Sequence, residues 1–275
     1  MSYKTLLLHL ELNNDNARLL KMAGDLVVRF GAHVIGIAAC QPAETLYGEN
    51  LAAPQVLAEE RNEIDRQITA AEAQFQMILA GRARSQEWRS TVTYGPLSSY
   101  IAKQARAADL IISGPDLGCS LLDSSRRVKL GNLALEAGRP LLIVPRGTED
   151  LTPNHAVIGW KDTREARRTV ADALPFLKDA QQVTVLEAAS EANAERARER
   201  VNDVMVWLKG HDIQATAMVT THGTEADALK AKLKELRCDL FVAGAYGHSR
   251  LGEFVFGGVT RDMLLDPEFC VLTSH

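Results

Sequence analysis

One pattern of short apolar runs and longer amphipathic segments occurs twice along the chain. When the sequence is shifted by 130 residues, Asp109 falls on Asp239 and Gly114 falls on Gly244 without a gap. The shared frame covers residues 109–145 and 239–275. A repeat of this length indicates two copies of one folding unit, so any fold for the chain has to be built twice.

Within each half, apolar runs of strand length alternate with segments of helical spacing. Strands are predicted at 5–10, 33–40, 88–94, 109–114 and 140–145, and again at 155–160, 182–188, 212–220, 239–244 and 269–274. Alternation of this kind, with apolar strands, is typical of parallel sheets covered by helices on both faces. We predict an α/β, Rossmann-like fold with two tandem open-twisted five-stranded sheets, in domains 1–147 and 154–275, related by a pseudo-two-fold axis.

Composition excludes several classes of protein. The formal net charge of -4 and the pI of about 6.0 argue against a general nucleic-acid-binding surface. No stretch reaches the ~18 uninterrupted apolar residues of a membrane span, and the N-terminus lacks the apolar core of a signal peptide. The four cysteines form no CxxC pair and have no zinc-finger spacing to histidine. A cytoplasmic protein is expected.

A glycine-rich tract, GAYGHSRLGEFVFGGVTRDML, directly follows the strand predicted at 239–244. Its glycines are Gly244, Gly247, Gly252, Gly257 and Gly258. In an open parallel sheet, ligands bind beyond the carboxyl ends of the strands. A helix start offers unpaired amides to an anion, and glycines let the backbone approach that anion closely. The tract therefore indicates a phosphate-binding loop, although glycines that only permit a tight path are the alternative.

The tract resembles the nucleotide loop of the universal stress protein family, whose ATP-binding members show Gly-x2-Gly-x9-Gly followed by Ser or Thr. The matching residues are Gly244, Gly247 and Gly257, followed by Gly258, Val259 and Thr260. Gly258 replaces the family's Ser or Thr, which removes a hydroxyl but keeps the backbone amide, and Thr260 supplies a hydroxyl nearby. The resemblance covers nearly the whole chain, which looks like a tandem member with two such domains. The sequence contains neither a Walker loop nor a GxGxxG motif after the first strand.

The resemblance also implies roles for residues outside the glycine tract. It places Asp162 at the base or ribose of a nucleotide, beside Trp160 and Lys161, and Ala188 in the adenine pocket. His248 follows Gly247 in the loop. It is either a phosphate contact or a loop histidine without a chemical role. On the residues alone, Asp162 can cap the following helix, a role compatible with the nucleotide role, and Thr163 can also cap that helix. Lys161 can be a solvated lysine.

The first half departs from the motif at the same positions. In the 130-residue frame, Leu117, Arg127 and Val128 stand where the second half has Gly247, Gly257 and Gly258. Larger side chains there would keep the backbone away from a triphosphate. We therefore expect nucleotide binding in the second half only, and the first half to act as a packing partner or to hold another ligand.

Motifs for catalysis are lacking in the sequence. It contains no HExxH and no GxSxG, nor the SGGxDS or HxGH of adenylyl-transfer enzymes. No catalytic residue is predicted. The resemblance implies a stress-response protein that binds ATP or a related adenine nucleotide, with Mg²⁺, in its second half and acts as a regulatory module with at most weak ATP hydrolysis. A homodimer is compatible with this expectation. The alternatives are an interaction protein without a ligand, or one that binds another small anion.

Overall fold

A computed structural model describes residues 2–12, 14–42, 54–115, 127–148, 150–221, 225–245 and 267–275. The strands are β1 Thr5–His9, β2 His33–Cys40, β3 Gln86–Val92, β4 Leu110–Ser113, β5 Leu141–Ile143, β6 His155–Gly159, β7 Gln182–Ala188, β8 Thr216–Thr220, β9 Leu240–Ala243 and β10 Cys270–Thr273. The helices in these ranges are α1 Ala17–Phe30, α2 Pro54–Leu79, α3 Leu97–Gln104, α4 Leu130–Ala137, α5 Arg164–Asp179, α6 Ala194–Gly210 and α7 Glu225–Glu235.

All ten of these strands form one sheet, in the order β3-β2-β1-β4-β5-β10-β9-β6-β7-β8. Neighbouring strands within each half are parallel, which confirms the predicted class. The two halves do not form separate sheets as expected, because β5 and β10 pair antiparallel with Leu142 opposite Leu272. Pairing these two strands satisfies backbone groups that would otherwise lie exposed at two sheet edges.

Helices cover both faces of the sheet, and apolar side chains from both halves share each core. Leu20 of α1, Phe75 of α2 and Phe176 of α5 lie in the core on one face. Ile101 of α3 and Leu233 of α7 lie in the core on the other face. Alternate residues of β1 enter opposite cores, as the two-residue period of a strand requires. Within the described ranges, no helix is both long and apolar enough to cross a bilayer.

The strand predicted at 212–220 begins later, at Thr216, because the residues before it close α6. Asp212 has a left-handed backbone with φ of 64°. The amide of Ile213 donates to the carbonyl of Leu208 at 3.1 Å, which ends the helix. The alternating pattern in this stretch therefore includes a helix-terminating turn as well as a strand.

An aromatic cluster of Tyr3, Phe30 and Phe176 joins the first half to α5. Ring centroids are 5.1 Å apart for Tyr3 and Phe30, and 5.6 Å apart for Phe30 and Phe176. The Tyr3 hydroxyl also donates to the carbonyl of Asp172 at 2.6 Å. These contacts add side-chain packing to the β5–β10 backbone pairing at the same junction.

Candidate functional site

The carboxyl ends of β7, β6 and β9 lie side by side, and they carry the described part of the predicted site. Trp160 directly follows β6, Ala188 is the last residue of β7, and Gly244 directly follows β9. Lys161 and Asp162 lie in the short connection from β6 to α5 and are exposed. The remaining predicted residues, Gly247, His248, Gly257, Gly258, Val259 and Thr260, lie outside the described residues.

Asp162 does not cap α5, so that expectation is wrong, whereas the expected cap at Thr163 is confirmed. The cap is Thr163, whose hydroxyl oxygen accepts the amide hydrogen of Ala166 at 3.3 Å. Asp162 Oδ1 accepts a hydrogen bond from Arg167 Nη2 at 2.8 Å, and both side chains are more than half exposed. An exposed pair of this kind contributes little to stability, so its carboxylate is available to a ligand hydroxyl at small cost.

Gly244 has a packing role that the motif did not indicate. A Cβ at this position would lie 2.6 Å from the amide nitrogen of Ala166 and 2.7 Å from the carbonyl carbon of Glu165. Both atoms belong to the backbone of the first turn of α5, which cannot move aside as a side chain could. The first glycine of the motif therefore lets α5 begin directly against the end of β9.

Trp160 lies half-buried between this edge and the core. Its backbone amide donates to the carbonyl of Leu186 at 2.8 Å, which continues the pairing of β6 with β7 by one residue. Its indole Nε1 is buried and has no hydrogen-bond partner among the described residues. A buried indole donor usually has a hydrogen-bond acceptor. The described part of the site provides none for Trp160.

A buried ion pair next to Ala188 was missed by the sequence interpretation. Glu187 is 6% exposed and accepts a hydrogen bond from Arg200 Nε at 3.1 Å. The same hydrogen bonding raises the pKa of Arg200 above its ordinary value. Charges that alternate at helical spacing, as those of α6 do, favour a solvated face, and only the packing of α6 on β7 brings Arg200, which is partly exposed, to the buried carboxylate of Glu187.

The matching edge of the first half carries a different pair of residues. His9 ends β1 and shares a hydrogen bond of 2.9 Å with Ser113 at the end of β4. Both are buried, with exposed fractions of 3% and 0%. Of the residues that replace the glycine motif, Leu117 lies outside the described residues, and Val128 is buried.

His9 makes stability depend on pH in a predictable direction. Burial lowers its pKa to about 4, whereas an unfolded histidine titrates near about 6.5. Below pH ~6.5 the unfolded chain binds a proton that the folded chain does not. The free energy of unfolding is therefore expected to fall by about 2–3 kcal/mol between pH ~6.5 and ~4.5, with no contribution from His9 above that window.

The measurement is urea unfolding of the wild type and of His9→Gln at pH 7 and pH 4.5. The carboxylates titrate in both proteins, so the difference between the two pH responses isolates His9. Identical responses would show that His9 is not buried as a neutral ring.

Solved structures with this architecture identify the fold. A universal stress protein from Archaeoglobus fulgidus DSM 4304 aligns over 98% of this chain and 95% of its own length, with a TM-score of 0.74 and 12% sequence identity. The chain has the universal stress protein fold. The alignment spans both halves, so the universal stress protein fold extends over the tandem arrangement and not over one half alone.

Two structures from Pseudomonas aeruginosa share the universal stress protein fold over similar lengths. One, from strain UCBPP-PA14 and described as a universal stress protein, covers 99% of this chain and 93% of its own, with a TM-score of 0.63 and 16% identity. The other, a functionally unknown protein from strain PAO1, covers 99% and 92%, with a TM-score of 0.61 and 16% identity. No protein-family model and no curated protein matches the chain. The resemblance seen in the sequence is thus confirmed for the fold.

Proposed function

We propose that the chain is a tandem universal stress protein that binds an adenine nucleotide, ATP with Mg²⁺, at the carboxyl edge of its second half. The observation that carries this proposal is the convergence of Trp160, Asp162, Ala188 and Gly244 at one edge of three neighbouring strands. The glycine-rich tract leaves the sheet from this edge. Carboxyl edges of open parallel sheets are the usual ligand sites of such folds.

The roles proposed for these residues are those that the resemblance to universal stress proteins implies, and the chemistry of each residue is compatible with its role. Asp162, exposed and not used as a cap, accepts hydrogen bonds from ribose hydroxyls, and Ala188 leaves room for a flat base beside the end of β7. In this proposal Lys161 and the backbone amides of Gly257 and Gly258 bind the phosphates. Anions bind well at helix starts because the first amides there have no helical acceptor. Among the described residues, no group of three or more His, Cys, Asp or Glu side chains is placed to hold a metal ion.

The proposal assigns no nucleophile to the two buried cysteines of the second half. Burial raises the pKa of the Cys270 thiol to about 12 and that of the Cys238 thiol still further. Both thiols therefore stay protonated near neutral pH and are poor nucleophiles. A bound nucleotide would act by changing the surface at this edge, and so the contacts with a partner or a second copy, in a stress response.

The test is isothermal titration of the intact protein with ATP and Mg²⁺, which is expected to give about one site per chain. The variant Gly257→Val is expected to weaken binding at least ~100-fold, or about 2.8 kcal/mol, because a branched side chain would separate the backbone amides from the phosphates. The matched control is Gly147→Val. Gly147 is exposed, and a Cβ added there meets no atom within 4 Å.

Two results would contradict the proposal. Two equal sites per chain would show that Leu117, Arg127 and Val128 do not prevent binding in the first half. Unchanged affinity in Gly257→Val, with the control also unchanged, would leave the glycine tract with a structural role only.

A further inference from the structure

A cavity of about 270 Å³ opens at the carboxyl edge of the first half, away from the nucleotide site proposed above. It lies between the end of β1, the start of α1 and the residues that follow β4 and β5. A cavity of roughly 150 Å³ is enough to hold benzene. The space is therefore large enough for a small organic molecule.

The cavity exists because α1 begins farther from its strand than α5 does. β1 ends at His9 and α1 begins at Ala17, whereas β6 ends at Gly159 and α5 begins at Arg164. A Cβ added at Gly114 meets no atom within 4 Å, although the same change at the equivalent Gly244 meets the backbone of α5. In the second half, the first turn of α5 thus occupies the space beside Gly244. In the first half, the equivalent space beside Gly114 is open.

Buried polar groups replace apolar ones at this edge of the first half. His9 and Ser113 stand where the second half pairs Gly159 with Ala243. The second half has the same fold with Gly159 and Ala243 at these positions. The fold alone therefore does not require a buried polar pair such as His9 and Ser113. His9 lines the cavity, and only 3% of its surface is exposed. The hydrogen bond between its ring and Ser113 is made by Nδ1, so Nε2 is the ring nitrogen that this bond does not use.

Two carboxylates and two guanidinium groups lie around the mouth of the cavity, and they differ in their hydrogen bonds. Glu11 accepts a hydrogen bond from the Asn14 side chain, and Asp15 Oδ1 accepts the Ala17 amide hydrogen at 2.9 Å. Arg18 and Arg146 line the mouth, are exposed, and form no ion pair or hydrogen bond with residues in the described part of the chain. The carboxylates are therefore engaged while the guanidinium groups are open to a ligand.

The start of α1 adds unpaired backbone amides at the mouth of the cavity. The amides of Arg18 and Leu19 lie in the first turn, where no helical carbonyl exists to accept them. The side chains of Leu19, Val144 and Pro145 give the same cavity an apolar wall. The site thus combines an anion-attracting mouth with a surface suited to an uncharged, apolar body.

We propose that this cavity binds a small organic carboxylate, with its head at Arg18, Arg146 and the start of α1 and its apolar body against Leu19 and Val144. A single negative charge fits better than the two charges of a phosphate monoester, because Glu11 and Asp15 lie at the same mouth and repel additional charge. In this proposal His9, which lines the cavity, contributes a hydrogen bond to the ligand through Nε2.

The test uses benzoate as the probe, with ligand-observed NMR titration of the intact chain. Benzoate is expected to bind with a Kd on the order of 1 mM or below, as its size allows. The uncharged isostere benzamide is expected to bind at least tenfold more weakly, and so is phenyl phosphate. An excess of ATP with Mg²⁺ is expected not to displace benzoate, because the two ligands occupy different halves.

Two variants locate the binding. Gly114→Leu fills the cavity without meeting other atoms at its Cβ and is expected to weaken benzoate binding at least tenfold. Arg146→Gln removes one guanidinium and is expected to weaken it at least threefold. The matched controls, Gly147→Leu and Arg196→Gln, change exposed residues outside the cavity and are expected to bind as the wild type does. Circular dichroism checks that each variant is folded.

Several outcomes would overturn the proposal. These are no benzoate binding to the wild type, equal binding of benzamide, and tighter binding of phenyl phosphate. Displacement of benzoate by ATP would instead make the cavity a nucleotide site. Should Gly114→Leu fail to fold, unchanged binding in Arg146→Gln alone would be enough to reject the carboxylate site.

Discussion

Replacing Phe176 by alanine is expected to lower the free energy of unfolding by about 3–5 kcal/mol, the usual cost of removing a large buried ring. Phe176 has an exposed fraction of 0% and packs edge-on or tilted against the rings of Phe30 and Tyr3 of the first half. The change would leave a cavity at the junction of the two halves. Because the neighbouring rings belong to different parts of the sequence, they cannot close it by a local shift.

Urea unfolding followed by circular dichroism measures this effect, with Met77→Ala as the control. Met77 is also a large apolar residue, but it is 72% exposed, so its removal is expected to change the free energy of unfolding by less than about 0.5 kcal/mol. A loss below about 1 kcal/mol in Phe176→Ala would show that the aromatic cluster does not hold the halves together.

Replacing Gly244 by alanine is expected to lower the free energy of unfolding by about 3 kcal/mol, at the upper end of the cost of overpacking. The new Cβ would lie 2.6 Å from the backbone nitrogen of Ala166, so α5 would have to move as a unit. That helix contributes Phe176 to the junction and Thr169 to a hydrogen bond of 3.1 Å with the Ser274 amide. A shift of its first turn would disturb both contacts.

The first half supplies the control for this variant. Gly114→Ala makes the same chemical change at the equivalent position, where a Cβ meets no atom within 4 Å, and is expected to change stability by less than about 0.5 kcal/mol. Thermal unfolding of both variants measures the difference. Equal midpoints would mean that the two halves pack alike around these glycines, which would also remove the basis for the cavity in the first half.

The glycine tract shows how far the candidate site could be predicted. Its spacing pointed to the carboxyl edge of the second half, and the structure brings Trp160, Asp162, Ala188 and Gly244 to that edge. The nucleotide roles of these residues stay predictions. The structure adds for Gly244 a packing reason that spacing alone does not reveal, because the clash depends on where α5 begins.

Other parts of the site could not be predicted from the sequence for a related reason. His9 and Ser113 are 104 residues apart along the chain, and they meet only because β1 pairs with β4 in one register. Arg200 and Glu187 are 13 residues apart on a helix and a strand, and their contact depends on the rotation of α6 against β7. Neither pair has a local pattern that marks it.

The sequence by itself determined the α/β class, the order of strands and helices, and the duplication. These properties follow from the local periodicity of apolar residues and from the 130-residue repeat, which need no knowledge of distant contacts. Only the tertiary structure decided that the two sheets join through β5 and β10, that a cavity opens beside the start of α1, and that the start of α5 packs directly against Gly244. The reason is physical: edge pairing and the filling of space depend on which surfaces meet in three dimensions, and similar local sequences can meet their neighbours in different ways.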